Sequence, residues 1–386
     1  MLNNLINRIK KHYQVLNLIE ISRSRLLKNS QLLSSESLLQ IAPVLKSNAY
    51  GHGIAEVAQI LDTQNFPFLC VDSLYEAYQI HKPLLPAFIS RVKAKTPILI
   101  MGYTNPENLK WKKLPFHFAV WDLNLAEILN RHQAGASVHI FVDTGMNREG
   151  VPLTELKSFL QKISQFKNIN VVGLMSHLAS ATSIDDPLFK NQFENYKLAK
   201  EIATEVGLKL RWYHLGGSSL LFDKNLTAKV SGVVNVLRSG RAIYGIGMSP
   251  RSLLQPVFKL KTQIVEVKKI KKGQLVGYDG TFKAASDMTI AILPIGYYDG
   301  LDRRLSNKGI VKIKNQFAPI VGLISMNMST VDVSRIDHPK VGDSVIVYSD
   351  EMKDKNSALE ASRICQTTPS EILSSLTPST RRIIVD

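Results

Sequence analysis

Lys46 stands directly after the apolar run Ala42-Pro43-Val44-Leu45. Burying a lysine as a cation is costly. A desolvated lysine therefore tends toward the neutral amine, the nucleophile of Schiff-base chemistry. A side chain that snorkels from the end of the run to solvent is the plainer alternative on position alone. Gly216-Gly217-Ser218-Ser219 follows a second apolar run, LRWYHL. Its backbone N–H groups and hydroxyls can receive a phosphate, although an ordinary glycine turn has the same composition. His177, His214, Arg148 and Arg238 stand at the ends of similar runs. The two histidines suit satisfied core positions as well as they suit chemistry. With no HxH or HExxH spacing, no metal site is expected from them.

Eight short β-rich runs carry these residues, at 41–51, 66–73, 96–103, 116–122, 137–145, 170–178, 210–217 and 233–240. Between them lie stretches such as SLYEAYQIHKPLL, which reaches a proline at 83, and FENYKLAKEIATEVGL. Their apolar residues recur at three- and four-residue spacing, the helical pattern. Strands alternating with helices imply right-handed crossovers and a parallel sheet. Eight units in this length fit a closed, TIM-like (β/α)8 barrel better than an open sheet. Function in such a barrel sits where strands end, and the ends here hold Lys46, Arg148, His177, His214, Ser218, Arg238 and Gly240. A lysine, a phosphate nest and an arginine at one barrel mouth point to a pyridoxal phosphate site. From about residue 251 the runs become short and several alternate, as in FKLKTQIVEVKKI, MTIAILPIGY, GIVKIKN and SVIVYS. That pattern predicts an antiparallel β domain. The expected organisation is an α/β barrel over 16–250 and a β domain over 251–386, with residues 1–15 a candidate to pack with the second. QVLNLIEIS (14–22) reads as a strand that could pair with that domain.

The chain has 386 residues, 45% hydrophobic and 21% charged, which excludes disordered, collagenous and coiled-coil classes. Its 48 Lys+Arg against 32 Asp+Glu leave a net charge of +16. Such a balance invites a nucleic-acid or anionic-membrane partner. The excess is spread, however: net +5 over residues 1–50, +5 over 51–250 and +6 over 251–386. No basic stripe interleaved with aromatics and no recognisable nucleic-acid module accompanies it. The densest run, Lys268, Lys269, Lys271 and Lys272 ending at Gly273, reads as a solvated turn between strands. Cys70 and Cys365 make no disulfide framework and read as small packed hydrophobes. No apolar run approaches the roughly 18 residues of a membrane span, and no secretory leader pattern opens the chain. A soluble, cytoplasmic protein acting on a small molecule is expected, with no nucleic acid and no membrane as partner.

Longer motifs sharpen this reading. APVLKSNAYGHG (42–53), VDTGMNREG, SHLAS, HLGGSS, LRSGRAIYG, GYDGTF, LPIGYYDG and PIVGLISMNMS follow one another between about residues 42 and 330. Their order and spacing resemble those of the alanine racemases, fold-type III pyridoxal phosphate enzymes. The resemblance implies racemisation of L-alanine to D-alanine by two bases, supplying D-alanine for peptidoglycan. Lys46 would carry the cofactor and act as one base; Tyr278, from the partner subunit of a homodimer with shared active sites, would be the other. Tyr50, Ser218 and Gly240 would hold the phosphate, Arg238 would face the pyridine nitrogen, and His177 would support Arg238 and the tyrosine. Arg148 would approach the cofactor's phenolic oxygen, Met326 the substrate carboxylate, and Tyr297 would line the entry. The chemistry agrees: moving a proton from one face of a carbon to the other calls for two bases. Tyrosine is a weak base near neutrality and needs cationic or hydrogen-bonding neighbours; Arg148 and the His177–Arg238 pair are candidates. An arginine stays protonated and does not readily pass its proton to the ring nitrogen.

Four positions depart from the family pattern. Phe141, seven residues before Arg148, replaces a lysine (carbamylated in many members) that orients this arginine. Gly217 replaces an asparagine, Asn327 an aspartate, and the tail EILSSLTPSTRRIIVD lacks a tyrosine that narrows the pocket. A racemase of broader scope, acting for example on serine, is therefore the alternative within the class. A basic nucleic-acid-binding protein is the alternative outside it.

Overall fold

The computed structural model describes residues 14–36, 39–81, 95–247 and 253–386. The expected packing of the N-terminus falls mainly on residues 1–13, outside the described ones. The chain divides into two compact units, one over Ser22–Val257 and one formed by Phe258–Val385 with the segment that ends at Ile21.

The leading strand, β1 (Leu18–Ser22), belongs to the second unit's sheet. The first unit is built on β2 (Gln40–Pro43), β3 (Leu69–Val71), β4 (Ile98–Ile100), β5 (His117–Val120) and β6 (Ala136–Asp143), on which the two-residue β7 (Val151–Pro152) pairs, followed by β8 (Ile169–Ser176), β9 (Trp212–Leu215) and β10 (Val236–Ser239). The eight main strands run in the order β2-β10-β9-β8-β6-β5-β4-β3, with parallel pairing throughout. A parallel bridge between Val44 and Cys70, with the Leu45 N–H donating to the Cys70 carbonyl at 2.7 Å, brings the two outer strands together into a near-closed barrel. One strand lies in each of the eight runs seen in the sequence.

These strands are almost wholly buried, as parallel strands covered on both faces must be. Aspartates start several of the intervening helices. Asp122 accepts the N–H groups of Asn124 and Leu125, Asp186 that of Leu188, and Asp223 those of Asn225 and Leu226. Each satisfies donors the first helical turn leaves open. Pro187 at the first position of Pro187–Glu205 is pre-set for a helix start. The helix after β3 is described over Leu74–His81, and Pro83, where the sequence pattern ends, lies outside the described residues.

The second unit is antiparallel. Its strands are β11 (Phe258–Gln263), β12 (Glu266–Ile270), β13 (Leu275–Val276), β14 (Phe282–Lys283), β15 (Met288–Leu293), β16 (Ile310–Ile313), β17 (Gln316–Pro319), β18 (Ser329–Asp332), β19 (Ser344–Tyr348) and β20 (Arg381–Val385). They form a six-stranded sheet β17-β16-β19-β11-β1-β20, a three-stranded sheet β12-β15-β18 and the hairpin β13-β14. β1 pairs antiparallel with β11, Leu18 opposite Lys261, so the strand read at 14–22 joins the β unit. Two helices, Ala358–Ile364 and Pro369–Ser374, sit within this unit and were not foreseen. The lysine run divides: Lys268 and Lys269 lie on the outer strand β12, exposed, and Lys271 begins the turn, pairing with Asp287 at 2.8 Å. Exposed lysines on an outer strand discourage further strand pairing. Cys70 and Cys365 are both free and buried. Among the described residues no helix is long and apolar enough to cross a membrane.

Candidate active site

Lys46 does not continue a strand. β2 ends at Pro43, and Ser47, Asn48, Ala49 and Tyr50 all have φ between 53° and 56°. Four successive non-glycine residues in the left-handed region make a turn of left-handed helix, costing roughly 1–2 kcal/mol per residue. The surroundings fix it. The Glu76 carboxylate accepts the N–H of Ser47 at 2.6 Å and that of Asp72 at 2.8 Å. Asn48 Oδ1 accepts the Ile54 N–H at 2.8 Å, and Gly51 N–H reaches the Ser47 carbonyl at 3.0 Å. Strain held this firmly beside a half-buried lysine makes Lys46 a candidate functional position. Glu76 lies 30 residues from Lys46 with no spacing that links them, so sequence reasoning missed it.

Arg238, on β10, is buried. Its Nη1 donates to His214 Nδ1 at 2.9 Å and to the His214 carbonyl at 3.0 Å; its Nη2 donates to the Ser176 carbonyl and toward His177 Nδ1 at 3.4 Å. Burial pulls the guanidinium below its ordinary pKa, but arginine remains a cation. Burial first, and then the cations Arg238, Arg148 and Lys46, hold the His177 imidazole down at about 3. His177 is therefore a neutral ring that accepts from Arg238 on one nitrogen.

Tyr50, Ser218 and Gly240 form a cup beside this network. A Cβ on Gly240 would lie 2.4 Å from the Tyr50 hydroxyl oxygen, so only glycine leaves that volume open. The Ala242 N–H donates to Ser218 Oγ at 3.1 Å. The neighbouring Ser239 hydroxyl is buried with no hydrogen-bond partner among the described residues. Backbone without a side chain, several hydroxyls and an unsatisfied polar group suit an anion with many acceptor oxygens.

Arg148 sits in the loop after β6, where Asp143 Oδ1 accepts the N–H groups of Gly145, Met146 and Asn147. Its guanidinium is gripped by the carboxylate of Glu149, with Nη2 to Oε1 at 2.6 Å and a second, shorter contact from Nε to Oε2. Phe141 meanwhile is buried in an apolar cluster with Ala119 and Met175, and the Trp121 ring stands edge-on to it at 5.8 Å. The place where the family carries a lysine is thus hydrocarbon, and Glu149, next in sequence, is the carboxylate that pairs with the arginine.

The remaining candidates lie in the second unit. Tyr278 opens a one-turn 3-10 segment after Gly277 and is 67% exposed. Tyr297 and Met326 are brought together by their backbones: the Tyr297 N–H donates to the Ser325 carbonyl and the Tyr298 N–H to the Met326 carbonyl, both at 3.0 Å. Both side chains are exposed.

Two family models, for the alanine racemase N-terminal domain and the alanine racemase C-terminal domain, match residues 21–248 and 257–384. An alanine racemase of Clostridium tetani (strain Massachusetts / E88) is 31% identical over 380 residues, covering 95% of this chain and 94% of the relative. One of Sorangium cellulosum (strain So ce56) is 32% identical over 320 residues, 80% of each chain. Among solved structures, the alanine racemase of Clostridium difficile 630 superposes with a TM-score of 0.86 at 26% identity over 96% of both chains. An alanine racemase from Bartonella henselae with covalently bound pyridoxal phosphate gives 0.80 at 25% identity, over 96% of this chain and 100% of that one.

Proposed function

The chain belongs to the alanine racemase family, and on that premise we propose that it interconverts L- and D-alanine with pyridoxal phosphate, by two bases, Lys46 and the partner subunit's Tyr278, in a cytoplasmic homodimer that supplies D-alanine for peptidoglycan. The observation that carries this reading is the cup of Tyr50, Ser218 and Gly240 beside the buried Arg238. That donor set fits the phosphate and ring nitrogen of this cofactor, and Lys46 supplies the amine that holds it.

When bound, the cofactor draws electrons from the substrate Cα–H bond and so acidifies the α-proton. The chain's own groups do the rest. Lys46 takes or returns the proton on one face and Tyr278 on the other, which inverts the centre. Arg238, a permanent cation with donors committed to His214, Ser176 and His177, would face the ring nitrogen without protonating it, which would restrain side reactions. His177 accepts from Arg238 through Nδ1 and therefore has a proton on Nε2 to donate to the tyrosine oxygen. Arg148, paired with Glu149, would meet the phenolic oxygen, while Met326 and Tyr297 would border the substrate.

The test is direct. With pyridoxal phosphate present, the protein is expected to racemise alanine, and borohydride treatment to leave the reduced cofactor on Lys46, read by peptide mass spectrometry. Lys46→Ala racemising at the wild-type rate would sink the proposal. A second reading, racemisation of larger polar amino acids such as serine, is favoured by the tail: β20, Arg381-Arg382-Ile383-Ile384-Val385, carries no tyrosine. Racemisation rates on alanine and serine measured side by side separate the two.

A further inference from the structure

Three buried or half-buried histidines form a line of which the proposed chemistry uses only the last, His214. His117 begins β5, His139 lies in β6 and His214 in β9. His117 Nδ1 is 3.0 Å from His139 Nε2, His139 Nδ1 is 2.9 Å from His214 Nε2, and His214 Nδ1 is 2.9 Å from Arg238 Nη1. Phe68 packs against all three rings.

The direction of every bond follows from its last member. A guanidinium only donates, so His214 Nδ1 must accept, and a neutral imidazole accepting there carries its proton on Nε2. That proton goes to His139 Nδ1, whose own proton is then on Nε2 and goes to His117 Nδ1. We propose that His139, backed by His117, is a positioning residue for Arg238: the chain His117–His139–His214 locks all three rings as Nε2–H tautomers and so fixes the plane and donor direction of the guanidinium. The role of Arg238 toward the cofactor rests on the function proposed above; the tautomer order does not.

Gly173 makes the line possible. β8 lies between β6 and β9, and its residue opposite His139 is Gly173. A Cβ there would stand 2.3 Å from His139 Nδ1. The missing side chain lets His139 reach across one strand to His214 on the next. Burial pushes the His139 and His214 pKa values well below the ordinary one, and Arg238 adds to this; His117 is held at about 4, chiefly by burial. Neutral rings are what a single-direction chain requires, since an imidazolium has no acceptor.

The experiment uses the full chain labelled with 15N-histidine, with and without pyridoxal phosphate. Expected are neutral Nε2–H tautomers at His117, His139 and His214 at pH 7; an Nδ1–H form or an imidazolium at His139 or His214 overturns the proposal. A pair of near-isosteric variants then tests positioning. His139→Asn keeps an oxygen acceptor for His214 Nε2–H and His139→Leu does not. His139→Leu leaves the His214 Nε2–H without its acceptor, and is expected to give at least tenfold faster solvent exchange of that proton and of the Arg238 side-chain protons, and a lower kcat with KM little changed. His139→Asn is expected to restore most of each. Equal behaviour of the two variants, altered or unaltered, overturns the positioning role. Arg238→Gln leaving the cofactor's absorbance unchanged would instead count against the role of Arg238, whatever the tautomers show.

Discussion

Gly240 and Tyr50 share one small volume. Because a Cβ at Gly240 would meet the tyrosine oxygen at 2.4 Å, Gly240→Ala is expected to displace the phenol from the cup. The loss should appear as cofactor binding weakened about tenfold or more, roughly 1.4 kcal/mol, with the fold intact by circular dichroism; unchanged affinity by fluorescence titration would contradict it. Glu149 presents the complementary case. It grips Arg148 where Phe141 offers only hydrocarbon. Glu149→Gln removes the charge and one acceptor of a forked pair, so kcat should fall severalfold. Phe141→Lys should not substitute for it, because the Ala119–Met175–Trp121 pocket would have to bury a cation. Racemase assays on the three proteins check both statements.

At the scale of elements, the turn after Lys46 is held from outside itself. Glu76, on the helix Leu74–His81, caps the Ser47 and Asp72 N–H groups with its two oxygens. Glu76→Gln leaves one good acceptor and turns the other toward a donor pair. The expected cost is about 1–3 kcal/mol of stability, read by denaturant unfolding, together with a fall in kcat larger than any change in KM, since Lys46 is repositioned rather than removed. A stability loss with kcat unchanged would show that the clamp serves the fold alone.

Over the whole molecule, the shared site of the proposed homodimer has an arithmetic consequence. Lys46→Ala and Tyr278→Phe chains should each be nearly inactive alone. A refolded equal mixture should recover about a quarter of wild-type activity, because half the dimers pair unlike chains and each of those has one intact site. No recovery would mean that each chain supplies both bases to its own site. Stability should also depend on pH through the barrel's histidines. His117 is held at about 4 and His177 at about 3, while an unfolded histidine takes up its proton near 6.5. As pH falls through that window the unfolded chain binds protons the folded one refuses, so stability is lost, by up to about 1.4 kcal/mol per pH unit for each such group. The melting temperature is expected to fall steadily between pH 6.5 and 4, and more gently in His117→Asn.

Much of this was legible in the chain. The alternation of β-rich runs with helical spacing marked eight barrel strands, and the change of period near residue 251 marked the β unit, because burial on two faces or one writes itself into neighbouring residues. The motifs from APVLKSNAYGHG to PIVGLISMNMS pointed to the family for the same reason: each is a local loop whose residues stand side by side. Most of what the sequence alone left undecided is non-local. It made Lys46 the end of a strand, whereas the structure puts it at the head of a left-handed turn that Glu76 holds from another helix. It offered no anchor for Arg148 at Phe141, and the anchor is Glu149. It left His214 open between a core position and chemistry and did not consider His117 or His139, whereas β5, β6, β9 and β10 bring them into one line ending on Arg238. Periodicity encodes which residues are buried; which buried polar groups meet is set by strand register and by a gap such as Gly173, and only the folded chain has those.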